Sequence, residues 1–593
     1  MKKRVADIIM DTLVEYGVTD CFAVVGGGAM HLDNALIVCD KMHKWFNHHE
    51  QACAMAAEAY ARYSGKMAAV CVTSGPGATN TLTGVMGAWQ DSLPMIVLLG
   101  QVRYEISVPK SGLQLRYRGI QEFEIIPTVK NMTKYAVLVT DPLSIRKEVI
   151  KAVRIANEGR KGPVWLDIPQ DIQNAVIDEE DLYDEDVKCD GIPKVIESKI
   201  NEIVLQLRNH KRPCILAGSG ITSSNSRELF SELVDLLQIP VIGGSWVSDN
   251  FYREHSLYFG LSGNIGPRVG NFILQNADVI LVLGNSLGFR QTGFRLEGFA
   301  PKAKIIMVDV DENESKKPGL NIDMFIHSEL HYFIQKMIQW GEKIEVDREW
   351  KQYCENLKDR FSPFEAADKI EVKDRVCSYY FWKIFEKYEE DDSILALGNN
   401  TACSAKLQCG TKKKEQRVLT NYTCGSMGYD LPAAIGAAIA SKKKVYCITG
   451  DGSIMMNLQE LQTIVHNDLF VNVVVFSNDG YAAIRQTSKN FFEGAYIGCT
   501  PDSGLGFPDF EKVADTFGFI YRKCKTNEEI EDCIRWMVNS EKRVWLEIEQ
   551  KLDDPVIPKV MSRMDKNRKM QSPDLQDMYP FLPEEIMKEL MFR

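Results

Sequence analysis

The sequence has no long apolar segment. Its 593 residues contain no run of about 18 apolar residues, the length that a membrane-spanning helix needs. The N-terminus carries basic side chains, but Asp7 and Asp11 interrupt any apolar stretch there. This pattern favours an amphipathic helix over a signal peptide. We therefore expect a cytoplasmic protein with no transmembrane segment and no membrane partner.

Long basic blocks and paired cysteine motifs are also missing. The formal net charge is −11, and the Lys runs at 412–414 and 442–444 are short. Such a charge balance argues against nucleic acid as the main partner. The 15 cysteines are scattered, with no Cys-x-x-Cys pair, which is typical of reduced, mostly buried thiols. With 45% hydrophobic and 25% charged residues, the chain has the composition of a globular protein.

Apolar strand-like runs alternate with helical segments in three successive stretches. This alternation is typical of doubly wound sheets. The predicted fold class is therefore α/β, with three doubly wound parallel-sheet domains. We predict domains at 1–175, 191–340 and 374–555, followed by a C-terminal tail at 556–593. An acidic stretch at 178–190 is expected to be a solvated linker.

The first and third predicted domains end in similar strands. These are PVWLDI at 163–168 and RVWLEI at 543–548. The likeness is short, so either chance or an ancient domain duplication explains it. The tail is rich in Met, Lys and Pro, and we expect it to pack on the surface or over the opening of a site.

Asp451 and Asn478 carry the clearest chemical signal. One buried strand ends at Gly450, a helical segment follows, and a second buried strand ends just before Asn478. In such a βαβ unit both residues lie at the carboxyl edge of a parallel sheet, where α/β proteins bind ligands. Their oxygens suit Mg²⁺ holding phosphates, and Gly450 and Gly452 allow a close backbone approach. On these residues alone, an ordinary strand-to-helix turn explains Gly-Asp-Gly equally well.

The same segment resembles a motif of thiamine diphosphate-dependent enzymes. Gly-Asp-Gly at 450–452 is followed by Asn478, and Ser477 stands where that family usually has another Asn. NHHEQACAMAAEAYAR resembles the segment that carries the catalytic glutamate of these enzymes. Three further segments resemble the acetolactate (acetohydroxyacid) synthase large-subunit group in particular: TSGPGATNTLTG, LPMIVLLGQV and GSMGYDLPAAIGAA. The resemblance covers roughly residues 1–555. It implies a pyrimidine-binding first domain, a central domain and a diphosphate-binding third domain.

The resemblance implies roles around the cofactor, thiamine diphosphate with Mg²⁺. The metal ligands would be Asp451, Asn478 and the carbonyl of Gly480. Glu50 would be the catalytic carboxylate that hydrogen-bonds the aminopyrimidine ring, and Gln121 would lie beside the reacting carbon. Met427 would hold the cofactor in its bent shape. The implied cofactor-binding residues are Gly26, Gly27, Asn399, Asn400, Met427, Gly450, Asp451, Gly452, Ser453 and Asn478.

Each of these roles has a simpler structural alternative. Without the resemblance, the His-His-Glu run at 48–50 is equally a surface turn or part of a metal site. Met427 is equally a core methionine, and the glycines at 26–28 equally form a plain turn. The asparagines at 399–400 replace other polar residues of the synthases.

The acceptor side departs from the biosynthetic synthases. The resemblance implies pyruvate as donor and a second carbonyl compound as acceptor, giving acetolactate when the acceptor is pyruvate. Thr487 stands near the position of a synthase Trp that contacts the acceptor, and Ile120 stands where the synthases carry Phe. Arg290 matches an Arg that holds the acceptor carboxylate, although a structural salt bridge is the alternative. Ser286 replaces a flavin-contacting Arg, so the presence of FAD stays open.

Three stretches resemble a narrower set, the acetolactate synthase-like proteins of surface-polysaccharide gene clusters. They are GGGAMHLDNAL, the segment from GFRQTG to VDENESKKP, and DMYPFLPEE. This likeness implies an alternative function, acetyl transfer to a nucleotide-linked keto-deoxysugar in branched-sugar and polysaccharide biosynthesis.

Two further classes of function remain. One is an oxidoreductase, which the incomplete Gly-x-Gly-x-x-Gly of the central domain disfavours. The other is a non-catalytic regulator, which the presence of Glu50, Asp451 and Asn478 disfavours. The resemblance also implies a homodimer or homotetramer in which Glu50 of one chain meets Asp451 of another.

Overall fold

Three six-stranded parallel sheets form the framework of the molecule. The computed structural model describes residues 1–183, 191, 193–244, 249–564 and 570–592. Most of the predicted acidic linker, and part of the predicted tail, lie outside these described residues. The predicted fold class, α/β with three doubly wound parallel-sheet domains, is confirmed.

The first sheet is formed by the N-terminal part of the chain. Its six strands are β2 (Asp20–Ala23), β3 (His43–Phe46), β4 (Ala68–Val72), β5 (Met95–Gln101), β6 (Tyr135–Leu138) and β7 (Pro163–Pro169). Two short strands outside this sheet are β1 (Lys2–Arg4) and β8 (Val176–Asp178). The helices are α1 (Val5–Glu15), α2 (Met30–Val38), α3 (Glu50–Ser64), α4 (Pro76–Asn80), α5 (Leu82–Gln90), α6 (Val108–Ser111), α7 (Ile126–Val129), α8 (Ile145–Asn157) and α9 (Gln170–Asn174). The strand order is β3-β2-β4-β5-β7-β6, while β1 pairs with β8. Strands β4 and β5 are buried throughout, as their continuous apolar sequences predict.

The second sheet has the strand order of a dinucleotide-binding fold. Its strands are β9 (Pro213–Ala217), β10 (Val241–Gly243), β11 (Tyr258–Leu261), β12 (Val279–Leu283), β13 (Lys304–Asp309) and β14 (Met324–His327). Its helices are α10 (Glu197–Asn209), α11 (Gly220–Ser223), α12 (Arg227–Leu237), α13 (Arg268–Asn276), α14 (Phe289–Thr292) and α15 (Leu330–Trp340). A further helix, α16 (Arg348–Arg360), follows them in the chain. The order β11-β10-β9-β12-β13-β14 corresponds to 3-2-1-4-5-6 within this sheet.

The third sheet repeats the topology of the first. Its strands are β15 (Ile394–Leu397), β16 (Arg417–Leu419), β17 (Val445–Gly450), β18 (Val471–Ser477), β19 (Ile520–Cys524) and β20 (Val544–Glu549). Its helices are α17 (Ser378–Tyr388), α18 (Thr401–Cys409), α19 (Asp430–Ser441), α20 (Asp451–Ile454), α21 (Glu460–His466), α22 (Ala482–Phe491), α23 (Phe510–Thr516) and α24 (Ile530–Val538). The order β16-β15-β17-β18-β20-β19 matches that of the first sheet strand for strand. The similar segments PVWLDI and RVWLEI therefore occupy equivalent strands, β7 and β20.

The first and third sheets share one apolar core through α3 and α19. Buried side chains of both helices belong to the same cluster. A Cβ placed on Gly436 would lie only 2.1 Å from the carbonyl oxygen of Ala56. The two helices therefore approach closely because one position on α19 has no side chain. This contact joins the middle of α3 to α19, a helix of the third sheet unit in the same chain.

The C-terminal tail packs into the core of the second sheet. Its elements are β21 (Lys559–Val560), β22 (Arg563–Met564), β23 (Met570–Gln571), β24 (Met578–Tyr579) and α25 (Glu584–Leu590). Leu575 and Met578 are buried in that core, and the amide of Asn271 on α13 donates to the carbonyl of Leu575 over 3.0 Å. The tail is thus part of the central unit and does not simply pack on the surface. That it lies over the opening of a site stays a prediction.

Candidate active site

The tips of two neighbouring strands are joined through Asp451. Asp451 directly follows β17, and Asn478 directly follows β18, to which β17 is paired in parallel. One carboxylate oxygen of Asp451 accepts backbone N–H bonds from Asn478 at 2.9 Å and Gly480 at 3.2 Å. The other accepts from Gly452 at 2.8 Å. The acid and the amide singled out by their spacing therefore lie together at the carboxyl edge of the sheet.

Burial perturbs the carboxyl group of Asp451. The residue is 2% exposed, and this burial raises its pKa to about 6, although its three N–H bonds act in the opposite direction. No group of three His, Cys, Asp or Glu side chains suited to a metal occurs among the described residues. A single carboxylate with neighbouring amide and carbonyl oxygens is instead the donor set that Mg²⁺ uses when phosphates complete its coordination.

Beside Gly450 lies a buried hydrogen-bond donor without an acceptor. Asn400 caps α18, where its side-chain oxygen accepts from the backbone of Cys403 at 2.9 Å. Its Nδ2 is buried and has no partner among the described residues. A phosphate oxygen would satisfy this amide, because buried donors are rarely left unpaired. The neighbouring Asn399 donates instead to the carbonyl of Gly425 at 2.6 Å.

Met427 and Gly452 are in close contact. A Cβ on Gly452 would lie 2.1 Å from the ring of Tyr481 and 3.3 Å from the terminal methyl of Met427. Position 452 therefore has no room for a side chain in this conformation. The hydroxyl of Ser453 donates to the buried carboxylate of Asp430 at 2.6 Å, so it is engaged within the protein.

Glu50 is the first residue of α3. The side chain of His49 caps this helix by accepting from the backbone of Gln51 at 3.1 Å. One carboxylate oxygen of Glu50 accepts from the amide of Asn80 at 2.9 Å. The other lies 3.6 Å from the position of a Cβ on Gly77. The carboxylate is therefore oriented by Asn80 and bordered by a residue without a side chain.

The segment of Glu50 contacts the C-terminal sheet within one chain. The side-chain oxygen of Gln51 accepts from the amide of Asn457 at 3.0 Å, and the same amide donates to the carbonyl of Gly428 at 2.7 Å. Glu460 accepts from the side chain of Asn47 at 2.9 Å. Through Asn457, two hydrogen bonds thus connect Gln51, which follows Glu50, to Gly428, which follows Met427. A site shared between different chains stays a prediction.

Three family models match the chain in the order of its sheets. The model described as "Thiamine pyrophosphate enzyme, N-terminal TPP binding domain" matches residues 3–121. The central-domain model matches 200–337, and the C-terminal TPP binding-domain model matches 396–548. Together they span more than half of the chain.

The chain belongs to the thiamine pyrophosphate enzyme family.

Its similarity to individual relatives extends over nearly the whole chain. It is 31% identical over 557 residues to a probable acetolactate synthase large subunit of Methanococcus aeolicus, covering 90% of each chain. It is 30% identical over 531 residues to the acetolactate synthase isozyme 1 large subunit of Escherichia coli (strain K12), covering 88% and 89%. It is 28% identical over 574 residues to acetolactate synthase 3, chloroplastic, of Brassica napus, covering 94% and 85%. This thiamine pyrophosphate enzyme is therefore similar to acetolactate synthases.

Other candidate residues of this thiamine pyrophosphate enzyme border the first sheet. Gly26 donates its N–H to Asp33 at 3.1 Å, and burial raises the pKa of that carboxyl to about 6. The carbonyl of Gly27 accepts from the side chain of Gln170 at 2.5 Å. Gln121 adopts a φ of +59°, and its carbonyl lies 2.4 Å from the position of a Cβ on Gly75. A glycine is therefore required where the Gln121 segment crosses the turn before α4.

The three candidate acceptor-side residues are not brought together by any described contact. Ile120 is 87% exposed. Thr487 lies on the exposed side of α22, and its hydroxyl donates to the carbonyl of Ala483 at 3.1 Å. The guanidinium of Arg290 lies 4.9 Å from the ring centre of Tyr422. The resemblance alone therefore supports their grouping.

Arg290 lines a cavity of about 640 Å³ between the three sheets. Its wall includes Gly220, Ser286 and Asp309 from the central unit and Arg160 from the first. The volume and the mixture of charges suit a ligand of dinucleotide size. The glycines after β9 are explained without a ligand, since a Cβ on Gly218 would lie 2.1 Å from the carbonyl of Gly284.

Sequence reasoning missed two side chains that hold Asn478. Gln550 accepts from its amide nitrogen at 2.9 Å, and Arg485 donates to its amide oxygen at 3.0 Å. Gln550 directly follows β20, the neighbour of β18. Gln550 has the same position as Asp451, directly after a buried strand, so its place in the sequence was an available signal. Arg485 gave no comparable signal, because it lies within a helix.

Among the described residues, no helix is long and apolar enough to cross a membrane. The 14 described cysteines are free thiols, as the sequence predicted.

Proposed function

We propose that the protein is a thiamine diphosphate- and Mg²⁺-dependent carboligase of the acetolactate synthase type. It would decarboxylate pyruvate and join the remaining two-carbon unit to a second carbonyl compound. One observation carries the proposal: Asp451 and Asn478 lie together at the tips of β17 and β18, where the carboxylate of Asp451 accepts backbone N–H bonds from Asn478 and Gly480. The similarity to acetolactate synthases supports pyruvate as the donor.

The residues at the strand tips would hold the diphosphate end of the cofactor. Asp451, Asn478 and the carbonyl of Gly480 would bind Mg²⁺, since hard oxygen donors suit this ion. The unpaired amide of Asn400 would donate to a phosphate oxygen. Gly450 would leave space for this approach at the start of α20.

Glu50 would act at the aminopyrimidine end. When bound, the cofactor supplies a nucleophilic carbon that attacks the keto group of the substrate. Glu50 would hold a proton on a ring nitrogen and thereby favour the tautomer that activates this carbon. Asn80 orients the carboxylate for that contact. Met427, packed against Gly452, would keep the two rings of the cofactor close together.

The acceptor side is supported mainly by resemblance. Gln121 would contact the reacting substrate, and Arg290 would hold the carboxylate of an acceptor pyruvate. Ile120 and Thr487 would border the same space. No described contact favours a nucleotide-linked keto-deoxysugar as acceptor, so this alternative is decided by the product formed.

Assembly and the second cofactor complete the proposal. We expect a homodimer or homotetramer, as the resemblance implies. Whether FAD binds stays open; the cavity lined by Gly220 and Asp309 would hold it. The cytoplasmic location stays a prediction.

Product analysis tests the proposed function. The purified protein is incubated with pyruvate, thiamine diphosphate and Mg²⁺, alone or with a panel of keto acids, aldehydes and a nucleotide-linked 4-keto-deoxysugar. We expect acetolactate from pyruvate alone, and no product from the Asp451→Ala variant. Preferential consumption of the keto sugar, with little acetolactate, would reverse the order of the two candidate functions.

A further inference from the structure

The amide of Asn478 is held at both of its ends. Its nitrogen donates to the side-chain oxygen of Gln550 at 2.9 Å, and its oxygen accepts from Arg485 at 3.0 Å. All three residues are at most 5% exposed. A guanidinium can only donate, so Arg485 requires the oxygen on its side. Gln550 must therefore present an acceptor on the other side.

The orientation of Gln550 is itself fixed by neighbouring hydrogen-bond acceptors. Its side-chain nitrogen lies 2.7 Å from the hydroxyl oxygens of Ser378 and Thr401, and 3.0 Å from the carboxylate of Asp554. The hydroxyl of Ser378 donates to Asp554, so toward Gln550 its oxygen can only accept. That acceptor draws the nitrogen of Gln550, which leaves its oxygen facing Asn478.

We propose that Gln550 is a positioning residue that turns the oxygen of Asn478 toward the metal. The hydrogen-bond sequence runs from Asp554 through Ser378 and Gln550 to Asn478. The inference rests on the proposed function, because it takes Asn478 as a Mg²⁺ ligand. An amide nitrogen that carries two hydrogens cannot bind a metal, so the orientation of this side chain decides whether it is a ligand at all.

The first test compares Gln550→Met with a matched control. The full-length protein is titrated with Mg²⁺ in the presence of excess thiamine diphosphate, and binding is followed by calorimetry. In Gln550→Met the buried amide of Asn478 loses its acceptor, and we expect the Mg²⁺ dissociation constant to rise roughly tenfold or more, as for other partners of metal ligands.

The control is Gln408→Met in the same sheet unit. Gln408 is 3% exposed and donates to the carbonyls of Ile265 at 2.8 Å and Pro558 at 2.7 Å. Neither of these hydrogen bonds involves Asn478. A comparable loss of buried hydrogen bonds should therefore leave the Mg²⁺ dissociation constant within about twofold of wild type.

The second test repeats Gln550→Met in an Asn478→Asp background. A carboxylate presents oxygen at both positions, so its orientation no longer matters. We expect the effect of Gln550→Met on Mg²⁺ affinity to fall to less than about threefold there. An equal loss in both backgrounds would show that Gln550 acts only on general stability, and would overturn the inference.

Two further variants keep the test decisive. If Gln550→Met does not fold, Ser378→Ala removes one of the three acceptors that orient Gln550. It should weaken Mg²⁺ binding in the wild-type background but not in the Asn478→Asp background. Unchanged binding in both would overturn the inference. Asp451→Ala distinguishes the proposed metal site from the positioning role of Gln550. If Asp451→Ala also binds Mg²⁺ normally, the proposed metal site is wrong. If only Gln550→Met binds normally, the positioning role alone fails.

Discussion

Asp451→Ala should abolish the stabilisation of the protein by its cofactor. In the wild type, Asp451 accepts three backbone N–H bonds at 2.8, 2.9 and 3.2 Å. Alanine leaves these donors without the carboxylate, at roughly 1–3 kcal/mol for an unsatisfied buried donor. Part of this cost is offset, because burial already disfavours the ionised carboxylate and raises its pKa to about 6. We therefore expect the cofactor-free variant to lose about 1–3 kcal/mol of folding free energy.

The decisive quantity is the further stabilisation on adding thiamine diphosphate and Mg²⁺. A ligand at 100 times its dissociation constant stabilises the folded state by about 2.7 kcal/mol. The wild type should show a gain of this size in urea unfolding, and Asp451→Ala should show almost none at the same concentrations. Asp451→Asn keeps the shape but loses the charge and one of the two acceptor oxygens, so it should also lose folding free energy and gain little from Mg²⁺. Equal gains in all three proteins would refute the assignment of Asp451 as a metal ligand.

Three other perturbations test Glu50, Asp167 and the sharing of sites between chains. Glu50→Gln should bind the cofactor but slow exchange of its C2 proton by roughly 10²–10⁴-fold, the usual contribution of general acid–base catalysis; proton NMR measures this rate, and an unchanged rate would exclude the role of Glu50. Burial raises the pKa of Asp167 to about 7, so the protonated carboxyl group stabilises the folded state at low pH. This contribution is about 4 kcal/mol at most. It is lost as the pH rises from about 4 to about 7. Relative to Asp167→Asn, the wild type should therefore become less stable over that range, and a difference in urea midpoints that does not change with pH would contradict the reasoning. Mixing Glu50→Gln with Asp451→Ala chains under conditions of subunit exchange should restore activity if each site is shared between two chains, whereas sites formed within one chain would stay inactive.

Local patterns predicted the framework and the strand-tip residues. Buried strands of continuous apolar sequence and the Gly-Asp-Gly break were enough to predict β17, β18 and the adjacency of Asp451 and Asn478. These features depend on short-range periodicity and on the fixed geometry of a βαβ unit. The three-sheet fold class followed from the same alternation.

Contacts between distant segments could not be predicted in this way. The sequence between β17 and β18 predicted one continuous helix, but α20 ends at Ile454 and α21 begins at Glu460. In the break, Asn457 bonds to Gln51 and Gly428, so a contact with the first sheet overrides helical periodicity. The packing of the tail into the second sheet also depends on distant partners, chiefly Asn271 on α13.

The production of acetolactate and CO₂ from pyruvate is the direct test of the proposed carboligase activity. The purified protein is supplied with pyruvate, and both products are quantified with and without thiamine diphosphate and Mg²⁺. We expect one acetolactate and one CO₂ for every two pyruvate molecules consumed, and no reaction when either cofactor is omitted. Failure to release CO₂ with both cofactors bound, or turnover that does not depend on them, would contradict the proposed activity.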